Sequence, residues 1–384
     1  MVRKVCVVVT ARPSYSRIKT ALKAIDDHPE LDLQLVLAAS ALLNTYGEVS
    51  KIIESDGFRV SYRAHTIVAG QNLNSMAKTC GLGTIEMTSA FENLQPDCVV
   101  TIADRYETMS TALAAAYMNI PLVHIQGGEV TGSIDEKVRH AITKLADIHL
   151  VSNDLAKQRV LKMGENEDQV FDLGCPSIDI AANILKDPSL NFDPIAKYGG
   201  VGANFDYSDG YLVVMQHPVT TEYEEAREQV AQTLRAVEKT GIPTFWFWPN
   251  VDAGSDGTSN GIRSFREKGN TDNFHFIKNA HPEDFLKLLY NSKGIIGNSS
   301  VAIRECSFLG VPAVNIGSRQ SGRQRGINVV DVESEADQIY NGIQKIFNIK
   351  SREGENIYGD GQSGKRIADL LAEVKLTFQK KLTY

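Results

Sequence analysis

The chain has 384 residues, a length that allows two domains, each able to bury a hydrophobic core of its own. Hydrophobic residues make up 42% and charged residues 23%, as in ordinary globular proteins, and no apolar run approaches the roughly 18 residues that a membrane span needs. The formal net charge of -7 argues against a nucleic-acid partner or an anionic membrane surface, because like charges repel.

The cysteines and the N-terminus indicate the compartment. The five cysteines are scattered and form no C-x-x-C pair, which is typical of free thiols in a reducing environment. The apolar run at the N-terminus is too short for a signal peptide and lacks a small-residue cleavage site. We therefore expect a cytoplasmic protein with no membrane partner.

Apolar strands alternate with amphipathic helices along the first half of the chain. Strands are predicted at KVCVVV, LQLVLA, CVVTIAD, PLVHIQG, DIHLVS and QVFDLG, and helices from about residue 14 and over about 46–55, 72–93, 106–118, 134–145 and 155–163. Such alternation predicts a parallel sheet covered on both faces. The first crossover carries Arg12 and Ser16 instead of G-x-G-x-x-G, so we expect no dinucleotide cofactor.

A second alternation begins after a stretch that loses periodicity. Between Lys186 and Gly210, Pro, Gly, Asp and Asn accumulate, which predicts a connection between two domains. Strands then follow at YLVVMQHP, PTFWFWPN and NFHFIK, and helices over about 222–239, 260–268, 282–291 and 362–384. Thr221 and Glu224 predict a capping box for the first of these helices. The predicted domains are 1–186, with a C-terminal helix over 365–384 packing back on it, and 187–364.

The stretch KGIIGNSSVAIRECSFLGVPAVNIG reads as strand, loop, helix and strand. We expect a helix that runs to Leu309 and begins at three good N-cap residues, Asn298, Ser299 and Ser300. Free N–H groups, hydroxyls and the positive end of the helix dipole favour phosphate there. Glu305 is too far into the helix for a capping box and could bind both hydroxyls of a ribose. The stretch predicts a nucleotide diphosphate site; the alternative is a plain capped helix.

Two doubly wound α/β domains with a cleft between them should bind ligands at the carboxyl ends of their strands. The candidates at predicted strand ends are Asp104 and Arg105 after CVVTIA, Glu129 in HIQGGEVTGS, His217 after YLVVMQ, and Asn250 and Asp252 after TFWFWP. Asp135 opens a helix, where a carboxylate also serves as a cap, and Arg319 is either a phosphate ligand or a solvated loop residue.

Two kinds of chemistry find no support in the sequence. Zinc-type spacings such as H-E-x-x-H or paired cysteines are absent, so we expect no metal. Ser299 does not lie in a G-x-S-x-G nucleophile elbow, so hydrolysis by a nucleophilic serine is also poorly supported. What remains is acid/base chemistry by carboxylates and a histidine, beside a bound diphosphate.

Several motifs together resemble one enzyme family over nearly the whole chain. They are TARPSYS, DRYE, HIQGGEVTGSIDEKVRHAITKLA, QHPVTTE, PNVDAGS, IGNSSVAIRE, GSRQSGR and YGDG. The chain resembles the hydrolysing UDP-N-acetylglucosamine 2-epimerases of sialic-acid biosynthesis, and their relatives that act on UDP-N,N'-diacetylbacillosamine or GDP-N-acetylglucosamine in legionaminic-acid synthesis. The resemblance implies a glycosyltransferase-B fold of two Rossmann-like domains, no metal or cofactor, a UDP-sugar substrate and a homodimer or homotetramer.

The resemblance also implies a reaction and a set of roles. A base removes the proton at C2 while UDP leaves C1, and water then adds to the resulting 2-acetamidoglucal to give N-acetylmannosamine. The implied cleft carboxylates are Asp104, Glu129 and Asp135, with His217 beside the diphosphate or as the acid for the leaving group. The implied binding residues are Arg12, Ser16 and Arg105 on the first domain, Asn250 and Asp252 at the sugar or phosphates, Ser299 and Ser300 at the phosphates, Glu305 at the ribose, and Arg319.

One residue departs from the family's pattern. Many relatives carry Glu or His at the position of Gln126, and a neutral amide cannot act as a base. Either Glu129 carries that role or Gln126 marks an enzyme for a different substrate. Three other functions stay open: a glycosyltransferase of the same fold, a non-hydrolysing epimerase, and a UDP-sugar sensor without catalytic activity.

Overall fold

The computed structural model contains two seven-stranded sheets flanked by helices. It describes residues 2–43, 49–70, 72–102, 105–132, 134–249, 254–269, 271–349 and 352–383. The chain folds into two compact units. The first unit comprises Met1–Glu129, Ile134–Ile180 and Tyr358–Tyr384, and the second comprises Val130–Ser133 and Ala181–Ile357.

The strands are β1 (Arg3–Val9), β2 (Leu31–Ala38), β3 (Val60–Ala64), β4 (Cys98–Ile102), β5 (Leu122–Ile125), β6 (Ile148–Val151), β7 (Val170–Asp172), β8 (Val201–Gly202), β9 (Leu212–Met215), β10 (Thr244–Phe247), β11 (Phe274–Ile277), β12 (Gly294–Gly297), β13 (Ala313–Ile316) and β14 (Val329–Val332). The helices are α1 (Arg12–Asp27), α2 (Val49–Ser55), α3 (Leu73–Leu94), α4 (Thr108–Tyr117), α5 (Ile134–Leu145), α6 (Asp154–Lys162), α7 (Pro176–Ile184), α8 (Pro194–Tyr198), α9 (Ala226–Glu238), α10 (Ser255–Lys268), α11 (Pro282–Tyr290), α12 (Glu305–Leu309), α13 (Ala336–Phe347) and α14 (Ser363–Glu373).

Both sheets follow the same strand order. The first is parallel, in the order β3-β2-β1-β4-β5-β6-β7. In the second, β11-β10-β9-β12-β13-β14 repeats the order 3-2-1-4-5-6 when β9 is counted as the first strand, and β8 joins β11 as an antiparallel edge. The strand order therefore reverses between β1 and β4 in one unit and between β9 and β12 in the other. The prediction of an α/β chain with two Rossmann-like doubly wound domains is confirmed.

The sheets are buried on both faces, as continuous apolar strands require. In the first unit, α1 and α14 pack on one face of the sheet, and α3, α4 and α5 pack on the other. In the second, α9, α10 and α13 cover one face around the buried Trp246. Among the described residues, no helix is both long and apolar enough to cross a bilayer.

Chain segments outside the predicted elements also contribute to the second sheet. The predicted connection over 186–210 contains α8 and β8, and β8 pairs with β11, so part of it belongs to the sheet. No elements were predicted for β14 or α13, which complete the opposite edge.

Two predicted helices have different bounds in the structure. The helix predicted from Glu222 begins as a 3-10 turn over Tyr223–Glu225 and continues as α9, and no side-chain cap forms at either start, so the capping box is wrong. The helix predicted over 365–384 is wrong beyond Glu373, where α14 ends. The following tail is extended because Lys380 donates hydrogen bonds to the carbonyls of Thr143 and Ala146, which a continued helix would not reach.

Candidate active site

The switch point of the second unit lies between β9 and β12, where His217 follows one strand and Asn298, Ser299 and Ser300 follow the other. The two strands approach closely there, because Gly297 has a φ of 137° and a Cβ at this position would lie 2.1 Å from the carbonyl oxygen of Met215. Ligands of doubly wound folds bind at this kind of position. The structure thus brings the predicted phosphate residues and His217 to one edge of the second sheet.

Asn298 connects the ends of these two strands. Its Oδ1 accepts a hydrogen bond of 2.8 Å from the backbone N–H of His217, and its Nδ2 donates one of 2.8 Å to the His217 carbonyl. His217 is 4% exposed and Asn298 is 2% exposed. The main chain at His217 is therefore fixed on both sides by one side chain.

The serine turn differs from its prediction. The single helix expected from Ser299 to Leu309 is replaced by a 3-10 turn over Ser300–Ala302 and the five-residue α12. The hydroxyl of Ser299 accepts a hydrogen bond from the turn, and Ser300 Oγ accepts one of 2.8 Å from Arg304, which is buried. Side chains that bind nearby backbone groups compete with α-helix geometry. Hydroxyls and turn N–H groups, not a long helix dipole, are the polar groups at this position.

Glu305 opens α12 and is 7% exposed. Its Oε2 is buried and has no hydrogen-bond partner within the described part of the chain. A buried carboxylate oxygen without a donor is costly, so it is a strong candidate for a ligand hydroxyl.

Arg319 lies in a 3-10 turn after β13 and donates a hydrogen bond of 3.1 Å from Nη1 to the carbonyl of Asn298. Gln320 Nε2 donates to the same oxygen at 2.8 Å. This turn therefore belongs to the same hydrogen-bonded group as His217, and Arg319 is partly buried there.

In the first unit, Arg12 opens α1 after β1, and Arg105 follows β4. Strands β1 and β4 are the neighbours at the switch point. Arg105 Nε pairs with Glu107 Oε1 at 2.8 Å in a buried ion pair. Burial, and to a smaller extent the positive charge of Arg105, lower the pKa of Arg12 to about 10. Guanidinium groups are well suited to bind the oxygens of a phosphate. Ser16, one turn into α1, donates to the carbonyl of Arg12 at 3.3 Å.

Glu129 follows β5 and is 4% exposed. Ser152 Oγ donates to its Oε1 at 2.9 Å, and the fully buried Arg139 donates to its carbonyl at 3.2 Å. Asp135 lies in the first turn of α5, one turn before Arg139, and is half-buried. Glu129 is thus a buried carboxylate held by a hydroxyl, in a unit that also carries Asp135.

The chain is similar to known proteins over most of its length. A model of the UDP-N-acetylglucosamine 2-epimerase family matches residues 23–372. The chain belongs to the UDP-N-acetylglucosamine 2-epimerase family. It is 32% identical over 380 residues to the UDP-N,N'-diacetylbacillosamine 2-epimerase (hydrolyzing) of Legionella pneumophila, covering 99% of this chain and 98% of the relative. It is 30% identical over 375 residues to the UDP-N-acetylglucosamine 2-epimerase of Neisseria meningitidis, covering 97% and 95%.

The crystal structure of a Neisseria meningitidis UDP-GlcNAc 2-epimerase bound to UDP-GlcNAc has the same fold. It matches with a TM-score of 0.80 at 19% identity, over 97% of this chain and 100% of that chain. The protein is therefore an enzyme of the 2-epimerase family with a glycosyltransferase-B fold.

Three predicted site residues of this 2-epimerase, Asp104, Asn250 and Asp252, lie outside the described residues. Within the described ranges, no group of three or more His, Cys, Asp or Glu side chains could hold a metal ion.

Gln126, the residue that departs from the 2-epimerase pattern, is 1% exposed and has a left-handed φ of 67°. Its Nε2 lies 2.9 Å from Cys175 Sγ, and its backbone N–H donates to the Leu150 carbonyl at 2.9 Å. The amide is therefore bound to a buried thiol of the first unit.

Three residues that hold the site together, Arg304, Gln320 and Arg139, had no predicted role, although the motifs that contain them were recognised. Asn298 was predicted as a helix cap, but its side chain binds the main chain of His217. The contacts of Asn298 and Gln320 join residues that are distant in sequence. Arg139 binds a backbone carbonyl, and Arg304 binds the hydroxyl of Ser300 one turn earlier. Only the arginines gave a sequence signal, because a charged residue inside an otherwise apolar run usually has a partner.

Proposed function

We propose that this enzyme is a hydrolysing 2-epimerase that converts UDP-N-acetylglucosamine and water into N-acetylmannosamine and UDP, for the synthesis of sialic-acid-type sugars. The observation that carries the proposal is the similarity over nearly the whole chain to a Legionella enzyme whose name specifies hydrolysis, and to a Neisseria enzyme named for UDP-N-acetylglucosamine. The buried Oε2 of Glu305, which has no hydrogen-bond partner among the described residues, adds support from this chain itself.

The reaction has two stages. A base takes the proton from C2, the C–H electron pair forms the C1–C2 double bond, and the C1–O bond breaks as UDP leaves. Water then adds hydroxyl to C1, and a proton returns to the opposite face of C2. Removal of so weak an acid requires good stabilisation of the leaving diphosphate, and transfer at two faces of one carbon requires two acid/base groups.

In this proposal the first unit supplies the acid/base groups. Asp104, Glu129 and Asp135 are the carboxylates that exchange protons with C2 and activate water, and Glu129 takes the role that the neutral Gln126 cannot perform. Arg12, Ser16 and Arg105 bind the substrate, and the two guanidinium groups are well suited to bind the oxygens of a phosphate.

The second unit binds the nucleotide in this proposal. Ser299, Ser300 and Arg319 bind the diphosphate, and Glu305 accepts hydrogen bonds from the ribose hydroxyls. His217 stabilises the leaving diphosphate or protonates it. The proposed roles of Asn250 and Asp252 are contacts with the sugar or the phosphates.

A second substrate has a specific observation in its favour. The Legionella relative, 32% identical over 99% of this chain, is named for UDP-N,N'-diacetylbacillosamine. Its sugar carries a second acetamido group, so the same elimination and hydration would apply. The GDP-linked N-acetylglucosamine is the third substrate to compare.

The reaction is tested by incubation in deuterated water. We expect deuterium at C2 of the product and one equivalent of free UDP per turnover. Retention of the substrate's own hydrogen at C2 would refute the elimination, and a UDP-sugar product without free UDP would identify a non-hydrolysing epimerase.

The substrate is tested by incubation with the two UDP-sugars and GDP-N-acetylglucosamine, scored by released nucleotide and free sugar. Release of UDP only when an acceptor is added would favour a glycosyltransferase, and binding without any release would favour a sensor. We also propose a homodimer or homotetramer, which light scattering of the purified protein can test.

A further inference from the structure

The parallel pairing of β9 and β12 ends at Met215, two residues before His217. The last backbone pair is Met215 with Gly297, and the N–H of Asn298 donates to the Met215 carbonyl at 3.2 Å. In the described part of the chain, these two strands form no ladder pair beyond that point. The N–H and carbonyl of His217 are nevertheless satisfied, because both bind the side chain of Asn298.

A primary amide carries the same donor and acceptor as a peptide group. The Asn298 side chain therefore continues the ladder as far as His217, with two buried hydrogen bonds of 2.8 Å each. Pro218 follows His217 and restricts its backbone to an extended conformation. The direction in which the His217 imidazole leaves the main chain is thus set by Asn298 on one side and by proline on the other.

Asn298 is itself held in place. Its backbone carbonyl accepts hydrogen bonds from Gln320 Nε2 at 2.8 Å and from Arg319 Nη1 at 3.1 Å. Rotation of its side chain would break both hydrogen bonds to His217, and movement of its main chain would break the two bonds that its backbone carbonyl accepts. The orientation of His217 and that of Arg319 therefore depend on the same anchor.

We propose that Asn298 is a positioning residue, which acts on the reaction by fixing the main chain of His217. The inference rests on the proposed function, in which His217 acts on the leaving diphosphate. A small displacement of a group that acts in the transition state is expected to lower kcat more than it raises KM, because binding of the ground state tolerates such displacement better.

The variants are Asn298→Ala, which removes both hydrogen bonds, and the near-isosteric Asn298→Asp, which puts an oxygen opposite the His217 carbonyl. The matched control is Asn328→Ala. Asn328 is also a buried amide of the second unit, with Nδ2 donating to the Val311 carbonyl at 2.7 Å and Oδ1 accepting from Ser307 at 3.0 Å.

We expect both Asn298 variants to lower kcat by about 10- to 100-fold, with KM changed less than about threefold. Asn328→Ala should keep kcat within about threefold of the wild type. In a His217→Ala background, Asn298→Ala should lower kcat by less than about threefold more, because its effect depends on the imidazole. Equal losses in both backgrounds, or equal effects of the two asparagines, would overturn the inference.

A second readout does not depend on turnover. The imidazole signal of His217 in a proton–carbon correlation spectrum, identified by its loss in His217→Ala, should move in both Asn298 variants and stay in place in Asn328→Ala. An unmoved signal would also refute the positioning role. If no UDP-sugar is converted but the signal moves, the proposed function has failed and the structural inference has not.

Discussion

The two units share one strand order but hold the residues at their switch points in different ways. In the second unit, the ends of β9 and β12 are joined through buried contacts, above all those of Asn298 with His217. In the first unit, β4 is followed by Arg105, which pairs with Glu107, while Glu129 is held by Ser152 at the end of β5. The second unit thus joins its two strand ends directly through one side chain, whereas in the first unit each polar residue is held by a separate partner.

The units also differ in how the chain builds them. The second unit is almost continuous in sequence, whereas the first is completed by the C-terminal segment from Tyr358. Asp179 accepts hydrogen bonds from the N–H groups of Ser363 and Gly364 and so caps α14, which packs on α1. Two units with the same strand order are therefore stabilised by different kinds of contact: side-chain hydrogen bonds between strand ends in the second, and docking of the C-terminal segment in the first.

The largest effect is expected at the carboxylates of the first unit. Glu129→Gln should lower kcat by about 10²- to 10⁴-fold while UDP affinity changes little, because the amide keeps the shape and loses the acid/base function. Steady-state kinetics and calorimetric titration with UDP measure the two quantities. Glu136→Gln, in the first turn of α5 and half-exposed, is the control and should retain activity. A Glu129→Gln enzyme with more than half of the wild-type kcat would remove Glu129 from the chemistry.

The next effect tests the close approach of strands in the second unit. Gly297→Ala should lower the free energy of unfolding by about 2–4 kcal/mol, because its φ of 137° disfavours a side chain and the new Cβ would meet the Met215 carbonyl. Gly81→Ala in α3 is the opposite case: a Cβ there has no atom within 4 Å among the described residues, and alanine should stabilise the helix by about 0.5–1 kcal/mol. Urea unfolding of both variants checks the contrast, and equal signs would contradict it.

The strand alternation of both units could be predicted from the sequence, because apolar β-branched runs followed by amphipathic helices determine doubly wound sheets. The edge of the second sheet formed by β14 was harder to predict from the sequence. The strand Val329–Val332 is short and only half-buried, although Ile339, Ile343 and Ile346 in α13 follow a helical period that could have been found. Local pattern predicts elements well where burial is complete and poorly at sheet edges.

The site was predictable in part, for a different reason. Residues at strand ends can be found from the strands themselves, which is how His217, Ser299 and Ser300 were selected. The break of the serine turn depends on local bonds of Ser299 and Ser300 that compete with α-helix geometry. The bond between Asn298 and His217 joins neighbouring strands and is contained in no local pattern. The hydrogen bonds that fix the main chain of His217 are therefore the part of the site that the sequence could not predict.

The third prediction concerns nucleotide binding by the second unit. Glu305→Ala should weaken UDP binding by about 10- to 100-fold and lower kcat at saturating substrate much less, because hydrogen bonds to a carboxylate contribute about 1.5–3 kcal/mol. The buried Oε2 has no donor within the described residues, so Glu305→Gln should not lower the Tm of the unliganded protein. Glu353→Ala, at an exposed position of the same unit, is the control and should bind UDP normally. A larger loss in kcat than in UDP affinity would move Glu305 out of the ribose role.

The smallest effect tests how the first unit is completed by its chain end. Glu165 is 3% exposed, and its carboxylate lies 2.6 Å from Lys144 Nζ, 3.0 Å from His149 Nε2 and 2.5 Å from Lys380 Nζ of the tail. Burial alone would raise the pKa of Glu165, but the hydrogen bonds from these three groups outweigh it and lower the pKa to about 2. The stabilisation is therefore present above the ordinary pKa of 4.5 and is lost as the pH falls towards about 2.

Glu165→Gln should lower the Tm of the first unit by about 5 °C near neutral pH, because the lysines lose their countercharge while the amide keeps the shape. The difference from the wild type should shrink as the pH falls from about 4.5 towards 2, since the wild-type carboxylate is then protonated as well. Calorimetry across this pH range measures the difference. Glu167→Gln, whose side chain is 71% exposed beside Lys157, is the matched control and should show no difference at any pH. If the difference between wild type and Glu165→Gln were constant with pH, the tail would be held by packing and backbone hydrogen bonds, and the charge of Glu165 would not contribute.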